Sequence, residues 1–240
     1  MPFLNTDRNP MKHFSLLVFD WDGTLVDSIE RIVTSLQFAS REITAIEISE
    51  KQARDVIGLG LGEAIARLHP ELAANDDSQI LSDLADSYRQ HYLYDNPVPA
   101  PLFAGVREML DDLRRQNYQL AVSTGKSRHG LEQSLAEHGL GEYFADIRCA
   151  SDHRSKPHPE MLHKILQKLN FSASETLMIG DSEHDMKMAN NAQMACIGVT
   201  HGVHDAQTLQ QFQPLACLNN ITELSYYLNN CPGHDKNEQI

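Results

Sequence analysis

Two aspartates, Asp20 and Asp22, follow a short apolar segment and lead into Gly23 and Thr24. A carboxylate at such a position can attack phosphorus and form an aspartyl-phosphate, which divides a difficult hydrolysis into two easier steps. An anionic nucleophile repels an anionic phosphate, and a bridging Mg²⁺ removes that obstacle because it binds oxygen ligands of both. The residue types therefore predict phosphoryl transfer to Asp20, assisted by a Mg²⁺ ion that Asp20 and a later aspartate, Asp181, hold.

Three more polar clusters follow apolar segments further along the chain. They are Ser-Thr-Gly-Lys at 123–126, Lys-Pro-His-Pro at 156–159 and Gly-Asp-Ser-Glu-His-Asp at 180–185. The hydroxyl of Thr124 and nearby loop amides can contact phosphate oxygens. The ammonium group of Lys156 can offset the charge of the transferring phosphoryl group and of the crowded carboxylates.

The charge balance of these clusters indicates a role for Asp22. Four aspartates, Asp20, Asp22, Asp181 and Asp185, against Lys156 and Mg²⁺ leave about one negative charge, which favours keeping one carboxyl group protonated. Hydrolysis needs a general acid that protonates the leaving oxygen and later activates water. We therefore predict that Asp22 is the acid–base residue.

The pattern of the chain predicts a fold that brings these clusters together. Short apolar runs at 15–19, 119–123, 146–150, 176–179 and 195–199 are typical of buried strands. Helical patterns separate the later runs, and this alternation predicts an α/β fold, a Rossmann-like doubly wound parallel sheet. Ligands bind at the carboxyl ends of such strands, where all four clusters fall.

Only helical patterns occur between the first strand and the second half of the chain. Asp27 and Glu30 stand in capping-box positions at the start of this stretch, and a proline-rich segment at 97–101 ends it. The glycine-rich stretch 58–62 predicts a loop that approaches the active site closely. The predicted boundaries are 27–96 for an all-helical cap, and 1–26 with 97–240 for the core.

Composition and charge argue against several classes of protein. Of the 240 residues, 41% are hydrophobic and 22% are charged, as in ordinary soluble globular proteins. The 20 Lys and Arg against 33 Asp and Glu give a net charge of −13, which repels phosphate backbones and anionic lipids. We therefore expect no nucleic-acid partner and no membrane partner, and no apolar run is long enough to span a bilayer.

The cysteines and the start of the chain predict the compartment. Residues 1–13 are polar and lack the apolar stretch of a secretion signal. The cysteines are scattered, without a zinc or disulfide pattern: Cys149, Cys196, Cys217 and Cys231. We expect reduced, mostly buried thiols in a cytoplasmic protein that is a monomer or a homodimer.

The four clusters together resemble the four motifs of the haloacid dehalogenase superfamily, over about residues 14–228. The resemblance is to the phosphoglycolate phosphatase-like branch, which carries a helical cap after the first strand. It implies a Mg²⁺-dependent phosphatase that acts on a small phosphorylated metabolite, either phosphoglycolate-like or a sugar phosphate. Asp22 separates this chemistry from that of relatives, because the dehalogenases lack an acid there and the pump ATPases carry threonine.

The resemblance also implies roles for the other motif residues. The backbone carbonyl of Asp22 would join the side chains of Asp20 and Asp181 as a metal ligand. Asp185 would orient a metal-bound water. The residues themselves also allow Ser182 to cap the following helix, with Asp185 three residues in and favourably placed against the helix dipole, and the two roles are not exclusive. Catalysis is implied for Asp20, Asp22, Thr124 and Lys156, and phosphate or substrate binding for Gly23, Thr124, Gly125, Lys126 and Lys156.

Several alternatives stay open. A phosphosugar mutase shares the aspartate pair, and a non-enzymatic phospho-acceptor module of the receiver type also has a phosphorylatable aspartate on a parallel sheet. Lys126 is equally well a substrate contact or a solvated lysine at a helix start. Histidines near the predicted edge lack metal-ligand spacing, and we expect solvated loop residues at His153, His158, His184, His201 and His204.

Overall fold

Six parallel strands form one sheet in residues 14–230, the part of the chain that this computed structural model describes. The strands are β1 (Leu16–Phe19), β2 (Gln119–Thr124), β3 (Asp146–Cys149), β4 (Thr176–Gly180), β5 (Ala195–Val199) and β6 (Cys217–Leu218). Their order is β3-β2-β1-β4-β5-β6, and neighbouring strands pair in parallel. The predicted α/β fold with a Rossmann-like sheet is confirmed, and β6 is a strand that the sequence pattern did not predict.

Helices fill the chain between β1 and residue 96. They are α1 (Ile29–Thr44), α2 (Glu50–Asp55), α3 (Leu61–Leu68), α4 (Pro70–Ala74) and α5 (Ser78–Gln90), followed by a π-helical turn (His91–Asp95). We refer to residues 29–95 as the helical insertion. Its buried side chains, such as Ile32, Val56 and Tyr92, form an apolar cluster distinct from those on the sheet.

Helices cover both faces of the sheet. They are α6 (Val106–Arg115), α7 (Arg128–Glu137), α8 (Glu160–Leu169), α9 (Glu183–Asn191), α10 (Ala206–Gln210) and α11 (Glu223–Asn230). In β1, Leu17 and Phe19 pack in one apolar cluster with α6 and α11, whereas Leu16 and Val18 pack in another with α8 and α9. Because both faces are covered, the strands appear in the sequence as continuous apolar runs.

The two connections between the helical insertion and the sheet lie side by side. Val26, before the insertion, forms an antiparallel bridge with Leu102 after it. The buried side chain of Asn96 donates hydrogen bonds to the carbonyl of Arg31 at 3.1 Å and to Ser35 Oγ at 2.9 Å. The chain thus enters and leaves the insertion at one place.

The start of α1 corrects a local prediction. Asp27 and Glu30 do not form a capping box there, because the residue at the N-cap is Ser28 and its side chain caps no backbone group of the helix. Ser28 Oγ instead donates to Asp22 Oδ1 at 2.7 Å. The hydroxyl group that could have capped the helix is used to position a predicted site residue.

Some of the sequence-based predictions concern segments beyond this description. Residues 1–13, predicted not to be a secretion signal, and Cys231, predicted to be a reduced thiol, lie outside the described residues. The same holds for both ends of the predicted core. Within residues 14–230, no helix combines the length and the apolar character that crossing a membrane requires.

The central strand β4 allows a test of the packing. Leu177 is completely buried in the cluster that contains Leu17 and Leu110. Leu177→Ala removes buried carbon atoms and leaves a cavity, so we expect the free energy of unfolding to fall by about 2–5 kcal/mol in urea denaturation followed by circular dichroism. Tyr226→Ala, at a residue that is 74% exposed, is the control and should stay within about 0.5 kcal/mol. Equal losses in both variants would contradict this account of the core.

Candidate active site

The carboxyl ends of the central strands carry the predicted site residues. Asp20 directly follows β1, Thr124 ends β2 and Asp181 directly follows β4. The backbone N–H of Asp20 donates to the carbonyl of Ile179 at 2.9 Å, which continues the pairing of β1 with β4. Lys156 reaches the same edge from the loop after β3. All four predicted side chains at this edge are buried.

Three buried carboxylates surround one buried ammonium group at this edge. Asp20, Asp181 and Asp185 each place a carboxylate oxygen within 4.8 Å of those of the other two. Lys156 Nζ lies 2.6 Å from Asp20 Oδ1 and 2.6 Å from Asp185 Oδ1. With all three carboxylates ionised, a single lysine leaves an excess of negative charge in a buried site.

This environment shifts the pKa values of the cluster. Burial raises the pKa of Asp20 well above its usual range; Lys156 opposes the shift, whereas Asp185 adds to it. Burial, followed by the charge of Asp185, raises the pKa of Asp181 to about 7. Burial alone would lower the pKa of Lys156, but Asp185 and Asp20 outweigh burial and the pKa is raised. Lys156 therefore stays charged at neutral pH.

The donors of this cluster fit a divalent cation. They are carboxylate oxygens, which are the ligands that Mg²⁺ prefers. Asp20 Oδ1 is buried and its contact with Lys156 is an ion pair without the direction of a hydrogen bond, so the oxygen has an unused lone pair. Asp20, Asp181 and Asp185 are the side chains that would hold the ion. Asp185, expected behind the metal ligands, thus lies in the same group as the other two.

Asp181 is held in place by groups from two loops. Its Oδ1 accepts a hydrogen bond from the hydroxyl of Thr24 at 2.6 Å, and its Oδ2 accepts one from the backbone N–H of Val203 at 2.8 Å. Gly202 packs so closely on the carboxylate that a Cβ atom at this position would overlap Oδ2. Gly23, predicted to bind phosphate, also packs on this carboxylate. The loop after β5, which contains Gly202 and Val203, was not predicted as part of the site.

Asp185 caps a helix and pairs with Lys156 at the same time. Its Oδ2 accepts hydrogen bonds from the N–H of Ser182 at 3.1 Å and from the Ser182 hydroxyl at 2.6 Å, which forms a capping box at the start of α9. Its Oδ1 accepts a hydrogen bond from Lys156 Nζ at 2.6 Å. The capping alternative is therefore observed, and it leaves Oδ1 on the side of the carboxylate cluster.

The side chain of Asp22 forms an ion pair outside the carboxylate cluster. Lys126 Nζ lies 2.9 Å from Asp22 Oδ1 and 3.1 Å from Oδ2. The same ammonium group lies 3.0 Å from the hydroxyl of Tyr92 and 4.4 Å above the centre of its ring. The side chain of Lys126 is only 9% exposed, so the alternative of a solvated lysine is wrong. The metal contact predicted for Asp22 concerns its backbone carbonyl and stays a prediction.

Lys126 changes the charge argument for Asp22. With Lys126 included, two lysines and a divalent cation balance four aspartates, so a shortage of positive charge no longer requires a protonated Asp22. Burial alone would lower the pKa of Lys126, but Asp22 and Tyr92 outweigh burial and the pKa is raised. The acid–base role of Asp22 remains a prediction that depends on its position two residues after Asp20.

The helical insertion closes over this edge and leaves a cavity of about 310 Å³. At Gly125 a Cβ atom would overlap the carbonyl oxygen of Leu59 from the insertion, which explains glycine between Thr124 and Lys126. The N–H of Gly60 donates to Ser155 Oγ at 2.7 Å. The close approach predicted for the glycine-rich loop is therefore confirmed.

Some contacts of the site were missed or misjudged from the sequence. His184, expected in a solvated loop, is buried in α9 with Nε2 3.4 Å from the carbonyl of Asp55, and burial lowers its pKa. The other histidines named above are partly exposed. The contact of Tyr92 with Lys126 has no signal in the sequence, because a tyrosine at helical spacing indicates only core packing. The contact of Ser28 with Asp22 was not predicted either, because Asp27 was predicted to stand at the capping position.

The chain is similar to known proteins in both sequence and fold. The sequence model of the haloacid dehalogenase-like hydrolase family matches residues 17–199. A phosphoglycolate phosphatase from Vibrio parahaemolyticus is 29% identical over 218 residues, covering 87% of this chain and 93% of the relative. A probable phosphatase, IndB, from Dickeya dadantii is 34% identical over 213 residues, with coverage of 87% and 91%. The crystal structure of a predicted phosphoglycolate phosphatase from Haemophilus somnus has a TM-score of 0.79 at 24% identity, covering 89% and 97%.

The chain belongs to the haloacid dehalogenase-like hydrolase family, and the matched residues 17–199 include all four polar clusters. The resemblance drawn from the motifs is therefore confirmed. The expectation of an enzyme, a hydrolase similar to phosphatases, is confirmed with it.

The pKa of Asp181 predicts that the metal-free protein loses stability as the pH rises. The folded-state pKa of about 7 lies above the usual 3.8, so the folded state binds more protons between these values. The stabilising contribution is complete below about pH 4 and is lost as the pH rises through about 7. In EDTA, we expect the Tm measured by differential scanning fluorimetry to fall from pH 5 to pH 8 more steeply than in Asp181→Asn. Identical pH profiles for the two proteins would contradict this assignment.

The packing of Gly202 against Asp181 predicts an effect on metal affinity. Gly202→Ala places a methyl group where Asp181 Oδ2 lies, so the carboxylate must move away from the cluster. We expect a loss of about 10-fold or more in Mg²⁺ affinity, measured by isothermal titration calorimetry. Gly141→Ala is the matched control, because a Cβ atom there meets no other atom within 4 Å. Unchanged affinity in Gly202→Ala would show that this contact does not position Asp181.

Proposed function

We propose that this protein is a Mg²⁺-dependent phosphatase that hydrolyses a small phosphate monoester through an aspartyl-phosphate on Asp20. The observation that carries the proposal is the buried group of Asp20, Asp181 and Asp185 beside Lys156, at the edge of the sheet where ligands bind. The relative from Vibrio parahaemolyticus, a phosphoglycolate phosphatase by name, supports a small phosphorylated metabolite as the substrate.

In the first step of the proposed reaction, Asp20 attacks the phosphorus atom. A carboxylate oxygen forms a bond to phosphorus while the bond from phosphorus to the oxygen of the leaving alcohol breaks. Asp22 lines the same cavity as Asp20 and donates a proton to that oxygen. When bound, Mg²⁺ reduces the repulsion between the nucleophile and the phosphate and stabilises the charge of the transferring group.

Lys156 and Thr124 are suited to hold the phosphoryl group. Lys156 stays charged 2.6 Å from Asp20, so it offsets negative charge where the new bond forms. Thr124 Oγ1 accepts a hydrogen bond from the backbone N–H of Lys126 at 3.1 Å. That bond uses a lone pair of the hydroxyl, so its proton is free to be donated to a phosphate oxygen.

In the second step, water hydrolyses the aspartyl-phosphate. Asp22, left without its proton by the first step, accepts a proton from the water. The water oxygen forms a bond to phosphorus while the bond to Asp20 breaks, and inorganic phosphate leaves. Asp20 is again a carboxylate and Asp22 is again protonated, so the cycle closes.

We further propose that the protein works in the cytoplasm as a monomer or homodimer, without a nucleic-acid or membrane partner. Within residues 14–230, Cys149, Cys196 and Cys217 are free thiols, as expected in a reducing compartment. The net charge of −13 opposes binding to phosphate backbones and to anionic lipids.

Substitution of the two aspartates after β1 tests the mechanism. Asp20→Asn removes the nucleophile, and we expect kcat to fall by about 10⁴-fold or more. Asp22→Asn removes the proton donor, and we expect a loss of about 10²- to 10⁴-fold with Mg²⁺ affinity largely retained. Phosphate release is measured over a panel of phosphate monoesters, in Mg²⁺ and in EDTA. Asp83→Asn, at an exposed position on α5, is the matched control.

The same assay distinguishes the alternatives. Hydrolysis retained in Asp20→Asn would refute the nucleophile, and an active Asp22→Asn variant would refute the acid–base role. Interconversion of phosphosugar isomers without net phosphate release would identify a mutase. A long-lived aspartyl-phosphate without turnover would identify a phospho-acceptor module.

A further inference from the structure

The walls of the cavity differ in chemistry between its two ends. The polar residues Asp20, Asp22, Thr124 and Lys126 line the end at the sheet, and the side chains at the end formed by the insertion include Ile32, Leu36, Val56, Ile57, Tyr88 and Leu93. Because the proposed reaction places the phosphoryl group at Asp20, the alcohol attached to it must extend toward the insertion. We infer that the leaving group of the substrate is an uncharged, largely apolar alcohol, an inference that rests on the proposed function.

Among the described residues, each cation that lines the cavity has an ion-pair partner in this structure. Among the described residues that line it, the cations are Lys126 and Arg89. Lys126 pairs with Asp22 at 2.9 Å, and the exposed Arg89 pairs with Asp86 at 2.6 Å. Glu63 adds a negative charge to the same wall. A leaving group with a carboxylate, such as that of phosphoglycolate, would lose its hydration here and compete with Asp22 and Asp86 for these cations.

Two of the serine hydroxyls that line the cavity both accept and donate a hydrogen bond within the protein, whereas Ser127 Oγ accepts one from the N–H of Gly130 at 3.2 Å. Ser155 Oγ accepts from the N–H of Gly60 at 2.7 Å and donates to the carbonyl of Lys156 at 3.2 Å. Ser151 Oγ accepts from the N–H of Arg128 at 3.0 Å and donates to a carboxylate. A sugar with several hydroxyl groups would exchange its water partners for walls made mostly of carbon, which is unfavourable.

The size of the cavity suits a carbon skeleton beyond the phosphate. Its volume of about 310 Å³ lies at the lower end of the roughly 300–1,000 Å³ of pockets that bind small organic ligands. Ile32, Leu36 and Val56 also belong to the apolar cluster of the insertion, so their positions are set by packing. An alkyl or aromatic chain would displace water from these walls, which is the source of hydrophobic binding.

A series of n-alkyl phosphates from ethyl to hexyl, with the full-length enzyme in Mg²⁺, tests the inference. The members differ little in the basicity of the leaving oxygen, so kcat/KM reports contact between the alkyl chain and the protein. Each buried methylene group should raise kcat/KM about fourfold. We expect hexyl phosphate to exceed phosphoglycolate and glucose 6-phosphate by at least about tenfold.

A charge placed at the apolar end should weaken this preference. Leu93→Lys puts an ammonium group on the cavity wall, and we expect the ratio of kcat/KM for hexyl phosphate over phosphoglycolate to fall by about tenfold or more. Leu81→Lys is the matched control, because Leu81 is a half-buried leucine of the insertion that does not line the cavity. The control should keep the wild-type ratio, and circular dichroism checks that both variants fold.

The outcomes separate this inference from the function on which it rests. A flat or falling series, with phosphoglycolate or glucose 6-phosphate hydrolysed faster, would overturn the apolar leaving group and leave the phosphatase standing. The same change of ratio in Leu81→Lys and Leu93→Lys would also overturn it, because the effect would not come from the cavity wall. Release of phosphate from no ester at all would refute the phosphatase, and this inference with it.

Discussion

Burial of three carboxylates around one ammonium group is the constraint on which the site depends. Asp20, Asp181 and Asp185 are buried at one edge of the sheet, and Lys156 alone does not balance them. The folded protein therefore favours the binding of a further positive charge at this edge. The hydrogen bonds and close packing around Asp181 keep its oxygens in place against the repulsion of the neighbouring carboxylates.

The helical insertion contributes a contact to the pair of Asp22 and Lys126 as well as the apolar walls of the cavity. Tyr92 from the insertion and Asp22 from the sheet edge share one partner, Lys126. The same insertion supplies the apolar walls of the cavity. A leaving group bound against those walls would lie next to the residue proposed to protonate it, so that recognition and the proposed proton transfer would share one cavity.

The parts of this structure that follow from the pattern of apolar and polar residues along the chain could be predicted from the sequence. The meeting of Asp20, Thr124 and Asp181 at one edge follows from the parallel direction of the strands, because parallel strands end on the same side of the sheet. The pairing of Lys126 with Asp22 could not be predicted, since it depends on where a loop turns after β2. The capping box expected at Asp27 and Glu30 does not form because Ser28 is the residue at the N-cap, and its hydroxyl donates to Asp22, six residues earlier in the chain. The two-residue strand β6 is too short to show the pattern of apolar residues by which a strand is predicted.

The adjacent connections at Val26 and Leu102 have a consequence for how such a protein can diverge. Because the chain departs from the sheet and returns to it at neighbouring points, the segment between them is a loop whose ends nearly meet. Such a segment can be lengthened, shortened or exchanged without altering the register of any strand. Evolution can therefore remodel the walls that the insertion gives to the cavity while Asp20, Thr124 and Asp181 stay at the edge of the sheet.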